Sequence, residues 1–313
     1  MALLTPLPLD LAREVCDAHQ LGELLRVEPL AAGSVNSNFF LHTDRGRSFA
    51  RIYEEADDQG VAFERALVDH LLAAGVSVPR RVRASRELRV AGKPVGVFEA
   101  VAGHERCRRE VTSLHLSAVG EALARVHLAG DSFGLEQRSR FDAPALLARL
   151  DGVPTERHPE LRDDLSRVRA VLADPLPELR RGVVHGDLFR DNVRWEGDRV
   201  LCLLDWDSAS TGPTLYDLAV TWLAWTFGDD FDWATGRALV TAYDSLRPLT
   251  EAEREGFSAV ARLACARFAA TRVTDYHLRL GPGAPGYRDY RRFLARLDVI
   301  EALSPRSLMG RLL

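Results

Sequence analysis

The chain has 313 residues, 46% of them apolar, and a formal charge of −4, enough for a sizeable buried core in one large or two modest domains and too little positive charge for broad, non-specific nucleic-acid binding. Cys16, Cys107, Cys202 and Cys265 lie far apart, without the spacing of a zinc site or a disulfide framework, and are read as reduced, mostly buried thiols. The opening residues lack a basic n-region, and the longest apolar stretch, Leu218 to Phe227, is about half of a membrane span, so the expectation is a cytoplasmic protein with no membrane partner.

Apolar positions at helical spacing predict a short leading helix over residues 9–25, broken at Gly22. Ser37–Thr43 and Ser48–Tyr53 read as strands joined by the turn Asp44-Arg45-Gly46. Phe63, Leu67, Leu71 and Ala74 recur at helical spacing until Gly75 and Pro79 end the run. Two short strands flank Ala91–Pro94, and Val101-Ala102-Gly103 forms a connector. Residues 1–100 are therefore expected to form a small, mostly antiparallel α+β lobe. Residues 101–313 read as a larger, mainly helical lobe. It contains an amphipathic helix from Leu114 to Leu128 and helical pattern over Ala145–Leu172, broken at Pro154. A small sheet is expected near His185 and Leu203, a Gly/Pro loop over 281–286, and then an Arg-rich helix.

The chemistry concentrates in Val183-Val184-His185-Gly186-Asp187-Leu188-Phe189-Arg190-Asp191-Asn192 and in Leu203-Leu204-Asp205-Trp206. His-x-Asp, an Asn after the Asp, then an apolar strand ending in a second Asp is the order of a protein-kinase catalytic loop and metal-binding Asp. Phosphoryl transfer needs the acceptor hydroxyl positioned and phosphate charge neutralised. Asp187 suits the first task as the catalytic carboxylate. Asn192 and Asp205 suit the second as hard oxygen ligands for Mg2+.

If the phosphate comes from ATP, the first lobe must cover it and supply a cation. Ala32–Asn38, with Ser34 and Asn36, is a candidate cover whose backbone N–H groups can face phosphate, or else an ordinary turn. Only Lys93 among the 41 basic residues is lysine, and it sits in a turn, so Arg51 on the returning strand is read as the phosphate-binding cation, or else as a surface arginine on an exposed strand face. Glu64 on the next helix is its expected partner, with Glu54 and Glu55 as rivals. Glu99 and Val101 on the connector offer backbone groups to an adenine edge.

The runs Gly33-Ser34-Val35-Asn36-Ser37-Asn38-Phe39-Phe40, Gly92-Lys93-Pro94, Val119 through His127, Asp187 through Asn192 and Leu215-Tyr216-Asp217-Leu218-Ala219 resemble the aminoglycoside-phosphotransferase and choline-kinase-like superfamily over nearly the full length. Within it the resemblance is strongest to its homoserine-kinase subfamily. The resemblance implies a two-lobed protein-kinase-like fold and ATP- and Mg2+-dependent phosphorylation of a small alcohol, most readily L-homoserine. It also implies a structural role for Asp217. Departures at Asp207-Ser208 and Leu223-Ala224-Trp225 fall near the expected acceptor pocket, so another small alcohol (aminoglycoside, choline, ethanolamine or sugar-like) is the alternative. A non-catalytic nucleotide-binding module is a third reading. Three residues carry open roles. Arg267 binds an acceptor carboxylate or pairs with Asp217. Asp207 binds an acceptor amine or a second Mg2+, or caps a loop. Arg190 steadies the moving phosphoryl group or is solvated loop charge.

Overall fold

The computed structural model describes residues 4–30 and 35–313. Two units emerge: residues up to 104 together with 201–207, and residues 105–200 together with 208–313.

The first unit opens with α1 (Leu9–Ala18) and β1 (Leu24–Leu30), followed by the hairpin β2 (Ser37–Thr43) and β3 (Gly46–Ile52), then α2 (Asp58–Ala73), β4 (Arg89–Val90) and β5 (Lys93–Glu99). The strands make one antiparallel sheet in the order β1-β2-β3-β5-β4. The expected helix over 9–25 is thus corrected: it stops at Ala18, because Gln20 and Gly22 take positive φ (55° and 96°), and the remaining residues enter a strand. Asp57 caps α2 by accepting from the Gly60 amide at 2.8 Å. The inward face of α2 carries Val61, Leu67, Val68 and Leu71, and also Glu64. Leu7, Val15, Phe39, Leu41, Ile52, Val95 and Val97 are among the buried residues of this unit's core.

The second unit contains α3 (Ser113–Gly130), α4 (Ala143–Asp151), α5 (Arg162–Ala173), β6 (Arg181–Val184), β7 (Val193–Glu196), β8 (Arg199–Leu203, which leads out of it), β9 (Ser210–Pro213) and α6 (Thr214–Thr226). It continues through α7 (Trp233–Leu246), α8 (Glu251–Arg272), a π-helical turn Val273–His277, the short α9 (Leu278–Leu280), α10 (Arg291–Glu301) and α11 (Pro305–Leu312). The single small sheet expected near His185 and Leu203 is corrected to two ribbons, β6 with β9 and β7 with β8. β6 finds a partner beyond the catalytic segment, which leaves the two ends of that segment tied to different ribbons. Helix α6 is buried all round, which explains the apolar run at Leu218–Phe227, and no described helix is long and apolar enough to cross a membrane. Cys16, Cys202 and Cys265 are buried and Cys107 is exposed, and none of them is in a disulfide.

Helix α3 packs against α7, and at Gly120 the two backbones come so near that an added Cβ would stand 2.2 Å from the Leu239 carbonyl oxygen. A backbone carbonyl cannot yield as a side-chain tip does. Gly120→Ala is therefore expected to destabilise the protein by about 2 kcal/mol or more despite the better helix propensity of Ala. Gly134→Ala, where nothing lies within 4 Å, should stay within about 0.5 kcal/mol of the wild type. Equal denaturation midpoints for the two variants would refute the close-crossing argument.

Candidate active site

Strand β6 delivers the chain into residues 185–192, and pairing of Val184 with Ser210 sets where that segment begins. At Gly186 φ is +77°, and a Cβ would stand 3.1 Å from the Ser208 carbonyl oxygen, so both conformation and space call for glycine. The turn is held from beneath by Asp217 in the first turn of α6. Its buried carboxylate accepts the backbone amide of His185 at 2.5 Å and that of Gly186 at 2.7 Å. His127 on α3 adds a third contact, Nε2 to Asp217 Oδ2 at 3.2 Å, while its Nδ1 lies 2.6 Å from the Tyr243 hydroxyl. Burial alone would raise the Asp217 carboxyl, but the His127 contact and the loop amides hold it below the usual carboxylate range.

Asp187 follows this anchored turn, half-exposed. Asn192 is nearly buried, and its side-chain nitrogen donates to the Asp187 backbone carbonyl at 2.8 Å. Since a carbonyl can only accept, the amide orientation is settled and Asn192 Oδ1 is the atom left to serve as a ligand. The Trp225 indole donates to the Leu188 carbonyl at 2.9 Å, and Arg190 Nη1 donates to the Ala224 carbonyl at 2.8 Å. Arg190 thus braces the loop against the last turn of α6, and burial pushes its guanidinium below the ordinary arginine range. Arg267 does not pair with Asp217, whose oxygens serve the loop; its Nη1 faces Asp187 Oδ1 at 3.4 Å.

The first unit brings Arg51, Glu64, Asp205 and Asp207 together. Arg51 on β3 is buried; its Nη2 lies 2.7 Å from Asp205 Oδ1, its Nη1 lies 3.8 Å from Glu64 Oε1, and its Nε donates to Asn38 Oδ1 at 3.3 Å. Asp205 is thus a closer partner than Glu64. Of the two rivals to Glu64, Glu54 is engaged by Lys93, Ser37 and Thr5. Asp205 sits at φ +63°, a left-handed conformation that Asp tolerates better than most residues and that turns its carboxylate out of the strand direction. Asn36 joins its neighbours at both ends, donating to Asp207 Oδ2 at 2.7 Å and accepting the Glu54 amide at 3.1 Å. Ser34 lies outside the described residues. The Glu99 amide donates to the Arg80 carbonyl at 2.9 Å, and Val101 follows in extended, half-buried chain.

Three carboxylates share one guanidinium here, with electrostatic consequences. Burial would lower Arg51, but Asp205, Asp207 and Glu64 outweigh it and hold the guanidinium above its ordinary range. Burial pushes Glu64 up to about 7, with Arg51 opposing the shift and Asp207 adding to it. A cluster with this acid excess favours a cation. Among the described residues no three His, Cys, Asp or Glu side chains are grouped to hold a metal ion alone. The donor chemistry suits Mg2+, which takes one or two protein oxygens and completes its shell with phosphate and water.

Asn38 and the His127–Tyr243 pair were not singled out as functional by the sequence. Asn38 stands opposite Arg51 in the β2–β3 register, which hairpin pairing can reveal. Nothing short of the fold places Tyr243 beside His127.

The match to known proteins follows this geometry. The model of the phosphotransferase enzyme family covers residues 26–249. The chain belongs to the phosphotransferase enzyme family. It is 34% identical to a homoserine kinase of Afipia carboxidovorans across 91% of this chain and 89% of that one. It is 33% identical to a homoserine kinase of Parvibaculum lavamentivorans across 95% of both. Among solved structures it superposes on an amicoumacin kinase with a TM-score of 0.69 at 14% identity, over 95% of this chain and 93% of the other. A choline kinase from Streptococcus pneumoniae gives 0.66 at 16%, over 94% and 99%. The protein is a small-molecule kinase with the α+β, protein-kinase-like fold.

Two outcomes are expected of this kinase. Asp217→Ala leaves two buried loop amides without an acceptor, which costs about 1–3 kcal/mol for each, and it should lower kcat at least tenfold while nucleotide affinity changes little; unaltered kcat would refute the anchoring role. The second concerns Glu64. Its folded pKa is raised from 4.5 to about 7, so its protonated form contributes stability that is complete below about 4.5 and lost as pH rises through about 7. Glu64→Gln removes that loss, and the variant should gain on the wild type by up to about 3 kcal/mol across this window. A difference in unfolding free energy that is flat with pH would refute it.

Proposed function

We propose that this kinase transfers the γ-phosphoryl group of ATP to the side-chain hydroxyl of L-homoserine, a step of threonine synthesis, and that it works in the cytoplasm. The observation that carries the reading is identity above 30% to homoserine kinases along nearly the whole of both chains, which includes the catalytic segment and the helices behind it.

In this reading the acceptor hydroxyl donates a hydrogen bond to the Asp187 carboxylate. Its oxygen forms the new bond to phosphorus as the bond to the ADP oxygen breaks, and the proton passes to Asp187 late in the transfer. Arg51 grips phosphate oxygens through the fork that now meets Asp205, and Glu64 and Asn38 keep it aimed. Asn192 would offer its Oδ1, and Asp205 its carboxylate, to Mg2+, which would neutralise charge on the transferring phosphate. Asp207, in charge range of Arg51, adds to the cation preference of the same cluster. Ser34, Asn36 and the Glu99–Val101 connector serve the nucleotide, Asn36 by fixing Asp207 and the end of β3.

The test is ADP release with Mg2+ and ATP across homoserine, serine, choline, ethanolamine and an aminoglycoside. Homoserine should be selected, and Asp187→Ala should lower kcat by about 1,000-fold or more with ATP affinity within a few-fold of the wild type. Selection of another alcohol would overturn the acceptor assignment, and full turnover by Asp187→Ala would overturn the catalytic one.

A further inference from the structure

Helix α8 is apolar and buried around Ala264-Cys265-Ala266 and Phe268-Ala269-Ala270, yet Arg267 sits in its midst at 5% exposure. A buried guanidinium is costly unless its donors are met by anions or carbonyls. Here they are poorly met. Arg267 Nη1 stands 3.4 Å from Asp187 Oδ1, longer than the roughly 2.7–2.9 Å of a good charge-assisted bond. Arg267 Nε is buried without a hydrogen-bond partner. The remaining contacts are aromatic: the guanidinium carbon lies 3.7 Å from the Phe268 ring centroid and 4.2 Å from that of Phe141. Rings stabilise the cation through their faces and supply no acceptor, so the N–H edge keeps its capacity for an anion.

The surroundings add to the demand for negative charge. Arg272, on the same helix, donates to the Asp289 carbonyl and stacks on Phe293. Arg296 donates to the carbonyls of Leu223 and Arg292 and stacks on Phe227 and Phe293. Burial pushes Arg272 down to about 10 and Arg296 to about 9, with other arginines of the group pressing both further in that direction, Arg267 among those acting on Arg272. The charge of Arg272, which acts on the same stretch as Arg267, disfavours a further cation beside it.

We propose that Arg267 is the specificity residue of the acceptor site, binding the carboxylate of an amino-acid substrate whose hydroxyl is held by Asp187. The inference rests on the homoserine reading and deepens it. Homoserine carries its hydroxyl and its carboxylate at opposite ends of a short chain, and Arg267 and Asp187 stand side by side to take one each. The same contact steadies the Asp187 side chain, so Arg267 also has a positioning role from which carboxylate recognition must be separated.

The experiment compares homoserine with 3-aminopropan-1-ol, which has the same hydroxyl, chain and amine but no carboxylate, in the wild type, Arg267→Lys and Arg267→Met, each with its thermal midpoint recorded. The wild type should prefer homoserine by about 100-fold or more in kcat/KM, since a buried receptor left without its anion discriminates strongly. In Arg267→Met that preference should collapse towards unity, chiefly through KM for homoserine, and Arg267→Lys should restore part of it. A purely positional role predicts equal losses on both acceptors with the preference intact, which would overturn the inference. A wild type that uses both acceptors equally well would overturn it without any variant having to fold, and would leave homoserine turnover standing. If the wild type does not use homoserine at all, the functional reading itself fails, and the inference with it.

Discussion

The loop that carries Asp187 depends on one buried carboxylate. Asp217 accepts two successive backbone amides, from His185 and Gly186, and so fixes the direction in which the chain leaves β6. A side chain at the surface could not do this, because water would compete for both amides; at full burial each unmet amide is expensive, and the geometry becomes the cheapest way to satisfy three groups at once. Asp187 inherits its position from this anchor. Asn192 then locks back onto the Asp187 carbonyl, so the two residues share a single braced turn. His127 and Tyr243 extend the network into α3 and α7, whose close packing at Gly120 holds the His127 ring in reach of Asp217.

The first unit works on the opposite principle, that of charge imbalance. One guanidinium, Arg51, lies in charge range of Asp205, Asp207 and Glu64, and burial raises the Glu64 carboxyl, with Arg51 opposing the shift and Asp207 adding to it. Carboxylates gathered in this way offer the hard oxygen donors that Mg2+ prefers. The second unit shows the complementary bias: Arg272 and Arg296 are met by rings and carbonyls, and Arg267 by two rings and the Asp187 carboxylate. The two clusters thus carry opposite signs of charge excess and are built from residues far apart in sequence.

Legibility in the sequence followed the range of the interactions. Asp187, Gly186 and Asn192 are legible as a group because they are contiguous: one loop supplies a carboxylate, the positive-φ position and a side-chain amide that binds back to it. Arg51 was readable because hairpin register and the near absence of lysine left one cation on the returning strand. The partner ranking was less so. Glu64 was expected on helical spacing and does face Arg51, but Asp205 stands closer, since the strand that carries it belongs to the first unit in space and to the second half of the chain in sequence. The leading helix ran too long because apolar spacing alone does not register Gln20 and Gly22 at positive φ, and β1 shows no strict alternation.

What the sequence determined by itself was the type of chemistry, since phosphoryl transfer needs a few residue types in a fixed local order, together with an α+β fold whose first part is a sheet and second part helical. What tertiary structure decided was which groups share a charge. Arg267 had been divided between an acceptor carboxylate and Asp217; the fold gave Asp217 to the loop amides and set Arg267 beside Asp187. Contacts of that kind are made by burial, which brings together residues from separate helices and makes any unmet charge costly, and no local pattern along the chain encodes them.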